Sequence, residues 1–513
     1  INATRLFSVL YHRTLNVGRV LSPTLALLVQ RETEIGAFRA EPFYTVQLDC
    51  GGVSAVSEKF KDNAAAAQLA DACADQTAVV KCVEQKERTE KPPALYDLTT
   101  LQRDANRILG YTTQQTLDYL QALYEKKLCT YPRTDARYLT DDMQSSVASY
   151  VAVAAELCET PQPEAIHAEQ VCNSKKVSDH HALLPTASAT KAAFLDLPLG
   201  EREVFRLVAK QLLCAVSDAH RYSETTVTLL CGGQEFTAKG KTILQTGWKQ
   251  YSGNETVETP LPELAEGSTL PVDAASVKEG KTTPPKHYTE DTLLAAMETA
   301  GRDDVEDEEA RQALKDCGIG TPATRAAIIE TLLRREYMVR VKKSLVPTEK
   351  GLALYSIVKE MDIANVEMTG RWEAELAKIE QGKTPHEAFM RDIESYTRKI
   401  TTDLLACDRI FGHKASGCTC PKCGTGTMQF YGKVVRCDNP DCLLPVFRQI
   451  AGKTLTDEEM TGLLTEGKTA MLGGFKSKQG KSFDAVVAFD GDYNTVFVFP
   501  ERKSKATSAK RRK

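Results

Sequence analysis

Apolar residues change their spacing along the first part of the chain, and each change predicts a different element. Over residues 3–36 they recur at helical intervals, with an interruption at Gly18 and Pro23 that predicts a break. From Pro42 the period becomes two, which predicts an extended run ending at Gly51-Gly52. A short alanine-rich helix over 64–74 and a strand over 78–83 are predicted next.

The rest of the chain continues to alternate between helical and extended patterns. The predicted elements are helices over 97–128, 140–158 and 201–217, strands over 221–250, an exposed connector over 253–285, helices over 289–338, a hairpin over 338–346 and helices over 352–405. Helices followed by a hairpin, here with Lys342 and Lys343 at its tip, are compatible with a winged-helix-like unit. Because no steady period persists, we predict a mixed α and β, multidomain fold.

Separated stretches are expected to combine into domains. The predicted domains are a helical part at 1–40 that continues at 286–405, a β-rich arch at 41–95 and 216–285, a helical domain at 96–215, a small Gly/Cys-rich module at 406–500 and a basic tail at 501–513. The tail is either a solvated end or a loose DNA-binding arm. With 513 residues, the chain is too long for one compact core.

Composition excludes a wholly disordered chain, because 42% of residues are hydrophobic and 26% are charged. No apolar run reaches the roughly 20 residues of a membrane helix, so we predict a cytoplasmic protein without a membrane partner. A formal net charge of −4 argues mildly against nucleic-acid binding, but local clusters of basic residues matter more than the total.

Tyr131 is the leading candidate for chemistry. Pro132 disfavours a helical backbone at the residue before it, so Tyr131 is expected in an extended segment just after a helix. Residues two apart in such a segment point the same way, which places Arg133 beside the phenol. A phenol with a reference pKa of about 10 needs cationic neighbours to act as a nucleophile, and arginine also grips phosphate. By composition alone, however, most tyrosines are structural.

The wider segment resembles the active-site peptide of type IA DNA topoisomerases, in particular the bacterial topoisomerase III group. The residues that carry this resemblance are Thr130-Tyr131-Pro132-Arg133-Thr134-Asp135. Stretches similar to other family motifs occur in the family's order at 16–25, 96–106, 179–186 and 318–325. Two positions depart from the pattern: Leu21 stands where the family usually has Gln, and Ala136 where Ser is common.

The resemblance implies a toroidal enzyme that cuts one DNA strand, passes another through the gap and reseals the first without ATP. Tyr131 would form a 5′-phosphotyrosine, Arg133 would position the scissile phosphate, and His180 would contact that phosphate or assist proton transfer. The residues expected to contact DNA are Arg5, Arg19, Thr134, Asp135 and Arg325. Arg325 could equally pair locally, and His181 is expected to be a loop or packing residue. The implied partner is single-stranded DNA, and the expected enzyme is a monomer associated with the nucleoid.

Members of this family begin with a Toprim domain whose carboxylates bind Mg²⁺. Residues 1–40 contain no such motif, and the chain starts about where that domain should end. We therefore expect the Mg²⁺ site to be absent from these residues, and this chain alone to bind single-stranded DNA but to relax DNA little or not at all.

Four of the 15 cysteines have the spacing of a tetrahedral zinc site. Cys420 and Cys423 form one pair, Cys437 and Cys442 form the second, and thirteen residues separate the pairs. Family members carry similar zinc-binding C-terminal modules. Cys418 is a possible alternative ligand, and a ribbon that has lost its metal is the alternative interpretation. Nearby, Phe430 and Tyr431 beside Lys433 and Arg436 could stack on unpaired bases or pack in the ribbon core.

One motif is misleading, and two other functions compete with the topoisomerase interpretation. Residues 462–469 fit a P-loop pattern but follow a helical stretch and not a strand, so we predict no nucleotide partner. A non-catalytic single-stranded DNA-binding protein is the main alternative. A tyrosine relaxase or recombinase is weaker, because only His180 and His181 of the eight histidines are adjacent.

Overall fold

The computed structural model describes residues 2–10, 15–253, 257–301, 311–312, 318–405, 415–430, 434–477 and 481–499. The predicted basic tail at 501–513, the proposed stacking residue Tyr431 and its basic neighbour Lys433 lie outside these ranges. The chain forms two compact units, one of residues 17–394 and one that combines residues 1–16 with 395–513.

The secondary structure follows the predicted alternation. The α-helices are α1 (Asn2–Leu10), α2 (Leu21–Ala37), α3 (Asn63–Cys73), α4 (Leu98–Asp104), α5 (Thr113–Glu125), α6 (Val147–Cys158), α7 (Lys191–Leu195), α8 (Leu199–Ala215), α9 (Glu290–Thr299), α10 (Pro322–Arg334), α11 (Glu349–Val358), α12 (Val366–Glu380), α13 (His386–Leu405) and α14 (Asp457–Glu466). Shorter helical turns are a π-helix at Ala105–Leu109 and 3-10 helices at Asp141–Ser146, Ala168–Gln170, Ser174–Lys176, Gly247–Tyr251 and Asp362–Ala364.

Strands occupy three parts of the chain. They are β1 (Pro42–Cys50), β2 (Val53–Ser57), β3 (Thr77–Glu90), β4 (His220–Cys231), β5 (Gln234–Gln245), β6 (Thr269–Lys281), β7 (Met338–Val341), β8 (Ser344–Pro347), β9 (Ala415–Thr419), β10 (Thr427–Phe430), β11 (Val434–Cys437), β12 (Pro445–Phe447), β13 (Gln449–Ile450), β14 (Lys453–Thr454), β15 (Leu472–Lys476), β16 (Ser482–Phe489) and β17 (Thr495–Val498).

Six strands from two distant stretches close into one barrel in the larger unit. Its order is β1-β2-β5-β4-β3-β6, and β6 pairs antiparallel with both β1 and β3. Small and branched residues fill the interior, and α3 packs one face onto them. The barrel joins 42–90 and 220–281, which were predicted as the two parts of one β-rich domain.

The expectation of an exposed connector over 253–285 is wrong for β6. The sequence misled because Pro271, Glu279 and Lys278 break the visible alternation of apolar residues. The side chains of β6 that pack on the barrel core, Leu270, Val272, Ala275 and Val277, are only partly buried. Hydrogen bonding to two neighbouring strands, and not a strong apolar pattern, therefore defines this element.

Between β3 and β4 the chain forms a helical domain around its own apolar core. Asp97 begins α4 with a capping box in which Thr100 N donates to the Asp97 carboxylate at 2.7 Å. Thr112 begins α5 in the same way with Gln115. Gly110, with φ of 77°, ends the π-helix between them. Residues from α4 to α8, with Tyr251, form one continuous core.

The remainder of the larger unit contains α2, α9 to α12 and a short hairpin. The predicted hairpin is confirmed, since β7 pairs with β8 around a turn in which Lys342 has φ of 58°. The predicted break in the first helical stretch is confirmed at Gly18, which lies in a non-helical segment before α2, whereas Pro23 lies inside α2. None of the helices in the described ranges is long and apolar enough to cross a membrane.

The second unit contains α1 and a C-terminal region of small sheets. Its four-stranded sheet has the order β12-β11-β10-β9, and a three-stranded sheet has the order β15-β16-β17. One apolar core, which includes Leu463 and Phe475, is shared by these sheets and α14. The predicted module at 406–500 therefore contains a ribbon and a second small α and β element.

Candidate functional site

The segment that carries Tyr131 is held against a second loop by backbone hydrogen bonds. After α5 the chain turns at Lys127, with φ of 60°, and Cys129 pairs with Pro185 in an antiparallel bridge. Thr130 N donates to the Leu184 carbonyl at 3.0 Å, and Leu184 N donates to the Thr130 hydroxyl at 2.9 Å. The two loops therefore have a fixed register although about fifty residues separate them.

The start of α4 anchors the same two loops. Leu98 N donates to the Thr134 carbonyl at 3.1 Å, and Leu183 N donates to the Tyr96 carbonyl at 2.8 Å. The Thr134 hydroxyl donates to the His180 carbonyl at 2.9 Å. These contacts place the backbones of the two predicted catalytic loops on one rigid support.

Tyr131 and His180 lie side by side. Their ring centroids are 4.2 Å apart, with an angle of 36° between the planes. Tyr124, on the last turn of α5, contacts Tyr131 edge-on at 5.5 Å. Tyr131 is half-buried and His180 is exposed, so the phenol is supported on one side and open on another. Sequence reasoning paired Tyr131 with His180 through family motifs, but nothing in the pattern indicated Tyr124.

Arg133 and Asp135 are exposed, whereas Pro132, Thr134 and Ala136 are buried. Arg133 makes no hydrogen bond or ion pair with any residue in the described ranges, so its guanidinium is open to a ligand. Asp135 accepts a hydrogen bond from the Ser178 hydroxyl at 2.9 Å. His181, expected to be a packing residue, is half-buried and donates from Nδ1 to the Ala182 carbonyl at 2.8 Å.

Two residues predicted to contact DNA are instead committed to internal hydrogen bonds. The Thr134 side chain is 1% exposed, and its hydroxyl also accepts from Ala136 N at 3.1 Å. Arg325 is 2% exposed and donates to the Ile319 carbonyl at 3.3 Å and the Thr99 hydroxyl at 3.0 Å. Neither side chain is exposed to a strand in this structure, and for Arg325 the local pairing that the sequence left open is the one observed.

The other predicted DNA contacts lie in different units. Arg19, just before α2, forms an ion pair with Glu373 at 2.5 Å and remains 39% exposed. Its carbonyl accepts a hydrogen bond from the Thr369 hydroxyl at 2.8 Å. Arg5 lies on the exposed side of α1, in the smaller unit. Leu21 and Ala136, the two departures from the family pattern, are both buried.

The four predicted zinc ligands converge in the C-terminal ribbon. The sulfurs of Cys420, Cys423, Cys437 and Cys442 all lie within 4.8 Å of one another. The distance from Cys420 to Cys442 is 3.8 Å and that from Cys423 to Cys437 is 3.7 Å. Tetrahedral zinc with Zn–S bonds of about 2.3 Å requires sulfurs about 3.8 Å apart, so the arrangement fits this metal. Elsewhere in the described part of the chain, no other group of three or more such ligands meets this geometry.

Hydrogen bonds also favour a thiolate in this cluster. Thr425 Oγ1 and Gly426 N donate to the Cys423 sulfur at 3.5 and 3.3 Å, and these donors lower the pKa of Cys423 to about 5. Asn439 N donates to the Cys437 sulfur at 3.4 Å, but burial outweighs this donor and raises the pKa of Cys437 to about 12. Cys418, the possible alternative ligand, lies outside the four-sulfur cluster and packs in the apolar core.

The two other candidate motifs of this region have structural roles. The P-loop-like segment at 462–469 spans the end of α14, where Gly467 has φ of 72°. A phosphate site requires the opposite end of a helix, where N–H groups point outward. Phe430 is 5% exposed and belongs to the core, which favours the packing alternative over stacking on bases.

Comparisons with known proteins agree on one family. A family model described as DNA topoisomerase matches residues 1–391, and one described as C-terminal repeat of topoisomerase matches residues 441–500. The chain is 33% identical over 480 residues to DNA topoisomerase 3 of Bacillus cereus (strain ATCC 14579), and 33% identical over 475 residues to that of Bacillus subtilis (strain 168). Each alignment covers 86% of this chain and 64% of the relative, so the chain spans a little less than two thirds of those proteins.

Among solved structures, full-length topoisomerase I from Thermotoga maritima is similar in fold. The TM-score is 0.64 at 21% sequence identity, and the match covers 88% of this chain and 74% of the other. At this identity the likeness concerns the fold, which agrees with the predicted mixed α and β, multidomain architecture.

Proposed function

Because this chain belongs to the DNA topoisomerase family, we propose that it catalyses type IA strand transfer, with Tyr131 as the nucleophile. The observation that carries the proposal is the contact of the Tyr131 and His180 rings at 4.2 Å, on two loops that hydrogen bonds hold in fixed register. A half-buried phenol beside an exposed imidazole can reach a phosphate in solvent.

In the proposed reaction the Tyr131 oxygen attacks the phosphorus of one DNA strand. A bond forms between that oxygen and phosphorus, and the bond to the 3′ oxygen breaks, so the strand leaves with a free 3′-hydroxyl. The 5′ end remains as a phosphotyrosine ester. The phenol proton passes to solvent or to His180, and the proton for the leaving oxygen comes from the same sources. The ester retains the energy of the broken bond, so no ATP is required.

Arg133 is proposed to bind the scissile phosphate. Its guanidinium is exposed and unpaired among the described residues, and arginine binds phosphate oxygens through two parallel hydrogen bonds. Asp135 and Arg19 are also exposed enough to contact a strand, and Thr134 is proposed to position the His180 loop. Single-stranded DNA is the proposed substrate of a cytoplasmic monomer.

Mg²⁺ would neutralise charge at the scissile phosphate during rejoining. The four-cysteine cluster does not suit that ion, because thiolates prefer zinc whereas Mg²⁺ requires oxygen ligands. We therefore propose zinc for the cysteine site, and Mg²⁺ remains an expectation from the family resemblance. We expect this chain alone to relax DNA little or not at all with or without Mg²⁺, and magnesium-dependent relaxation would contradict that expectation.

Trapping a covalent protein–DNA adduct tests the function directly. The chain is incubated with a labelled single strand and denatured, and the adduct is resolved by mass. We expect an adduct linked through the 5′ phosphate and its loss in Tyr131→Phe. Tyr124→Phe, which keeps the ring beside Tyr131, serves as the matched control and should retain it. DNA binding without any adduct would favour the non-catalytic alternative, and a 3′ link would favour a recombinase.

A further inference from the structure

A cleft of about 380 Å³ opens between the helical domain and the segments that follow β3 and β5. Its walls come from α4 with the following π-helix, from α8, and from the 3-10 helix at Gly247–Tyr251. Tyr131 and His180 are not among its lining residues. This volume falls in the lower part of the range of ligand-binding pockets.

Four cationic side chains and one carboxylate line this junction cleft. Arg103 and Arg107 are already paired, with Asp291 at 2.9 Å and Asp104 at 2.5 Å. Arg137 and Lys210 form no ion pair with any residue of the described ranges, and Arg137 donates only to the Leu95 carbonyl at 3.1 Å. Arg137, in the loop after Tyr131, and Lys210, on α8, are therefore available to attract an anion.

Aromatic side chains form another part of the wall. Trp248 is fixed by its indole N–H, which donates to the Glu90 carbonyl at 3.1 Å. Tyr251 is only 4% exposed, yet its hydroxyl makes no hydrogen bond with a described residue. The hydroxyl oxygen itself is not fully buried, so a polar group bound in the cleft can reach it.

We propose that the junction cleft binds a nucleotide phosphate. Arg137 and Lys210 would hold the phosphate, the base would lie against Trp248, and Tyr251 would hydrogen-bond to the base or sugar. Bare phosphate would leave most of the volume and the aromatic wall unused. The nucleotide could be free in solution or part of a DNA strand. This proposal departs from the expectation of no nucleotide partner, which concerned the 462–469 segment.

Tryptophan fluorescence measures binding at this position. The chain has two tryptophans, so Trp372→Phe leaves Trp248 as the reporter. In that background we titrate thymidine 5′-monophosphate, thymidine, inorganic phosphate and a short thymidine oligonucleotide at fixed ionic strength, with absorbance correction. We expect saturable quenching by the monophosphate, and binding of thymidine or phosphate alone weaker by about tenfold or more.

Charge variants separate specific binding from general attraction. Lys210→Met and Arg137→Met should each weaken binding of the monophosphate by about tenfold. Lys239→Met removes an exposed lysine from β5, outside the cleft, and should leave the affinity unchanged. Quenching by the oligonucleotide alone, with the same sensitivity to Lys210, would support the site and identify a strand as its ligand.

Three results would overturn the proposal: no quenching by any nucleotide, equal affinity for thymidine and its monophosphate, or equal effects of Lys210→Met and Lys239→Met. The inference does not depend on the proposed catalysis, because Tyr131→Phe should bind as the parent does. No covalent adduct together with intact quenching would mean that the proposed catalysis fails and the cleft proposal stands. An adduct without quenching would mean the opposite.

Discussion

At the scale of single residues, Thr134 shows how a buried hydroxyl supports the proposed site. It donates to the His180 carbonyl and accepts from Ala136 N, so Thr134→Val would leave both groups without this partner. We expect a loss of about 1 to 3 kcal/mol in the free energy of unfolding and slower adduct formation. Denaturant titration and adduct kinetics measure these effects. Thr134→Ser keeps the hydroxyl and should retain most of the stability and most of the rate of adduct formation. A Thr134→Val variant with unchanged stability and unchanged rate would contradict the positioning role.

His167 predicts a pH dependence of stability. Its Nε2 contacts Asp218 at 2.8 Å and its Nδ1 contacts Glu169 at 3.2 Å, and the hydrogen bond to Asp218 is the main cause that raises the His167 pKa. A raised pKa means that the charged form is favoured in the folded state. The stability that charged His167 contributes is complete below the unfolded-state pKa of about 6.5. It disappears as the pH rises through the higher pKa of His167 in the folded state.

We therefore expect His167→Gln to destabilise the chain by up to about 1 kcal/mol at pH 5.5 and by much less at pH 9, because the ion pairs are partly exposed. Thermal unfolding at both pH values measures the difference. His386→Gln replaces a histidine that is 74% exposed and should show little change at either pH. A larger loss of stability in His167→Gln at pH 9 than at pH 5.5 would contradict the raised pKa of His167.

At the scale of elements, the loop before α10 depends on Gly318. Its φ is 61°, and a Cβ would lie 2.1 Å from the Met297 carbonyl oxygen. Gly382 also has positive φ, 70°, but nothing lies within 4 Å of its Cβ position. Gly382→Ala should cost about 1 to 2 kcal/mol from backbone strain alone. We expect Gly318→Ala to lower the free energy of unfolding by at least about 2 kcal/mol more than Gly382→Ala does, as measured by urea unfolding. Equal losses in the two variants would show that the loop can move to accommodate the new Cβ.

Local sequence signals predicted elements well where capping and turn chemistry are strong. The helix starts at Asp97 and Thr112, the hairpin around Lys342 and the strand from Pro42 could all be identified. The strand β6 could not, because its pairing with β1 is decided by residues more than two hundred positions away. The burial of Thr134 and Arg325 could not be predicted either, because the sequence pattern does not show which polar residues find hydrogen-bond partners in the interior.

The pairing of Arg133 with Tyr131 was predicted from the extended backbone expected before Pro132, whereas His180 was added through family motifs alone. Family order indicated that Tyr131, Arg133 and His180 act together, and the structure brings Tyr131 and His180 into contact. Cysteine spacing alone was sufficient for the four-sulfur cluster, because short knuckles restrict where two thiols of a pair can point. The junction cleft had no sequence signal, since its walls come from separate elements that fold together.

At the scale of the whole molecule, the two compact units should respond differently to loss of metal. If zinc holds the cysteine cluster, Cys437→Ser or a strong chelator should abolish zinc binding and remove hydrogen-exchange protection from 415–499. Residues 17–394 should keep their protection, because they form their own cores.

Cys418→Ser is the matched control for that prediction. Cys418 is a buried cysteine of the same module but not one of the four clustered sulfurs, so a single zinc ion should remain bound. Metal content by atomic emission and exchange by mass spectrometry provide the readouts. Full protection of 415–499 in metal-free Cys437→Ser would show that the module does not need zinc to fold.

The barrel has a consequence for the order in which the chain can fold. Its strand β1 pairs with β6, and the whole helical domain is inserted between β3 and β4. The core of the helical domain is complete once Tyr251 has been synthesised, whereas the barrel must wait for β6. Until then β1 and β3 expose unpaired edges that can associate with other chains. During synthesis, association through these edges is therefore expected mainly between the completion of β1 and the completion of β6.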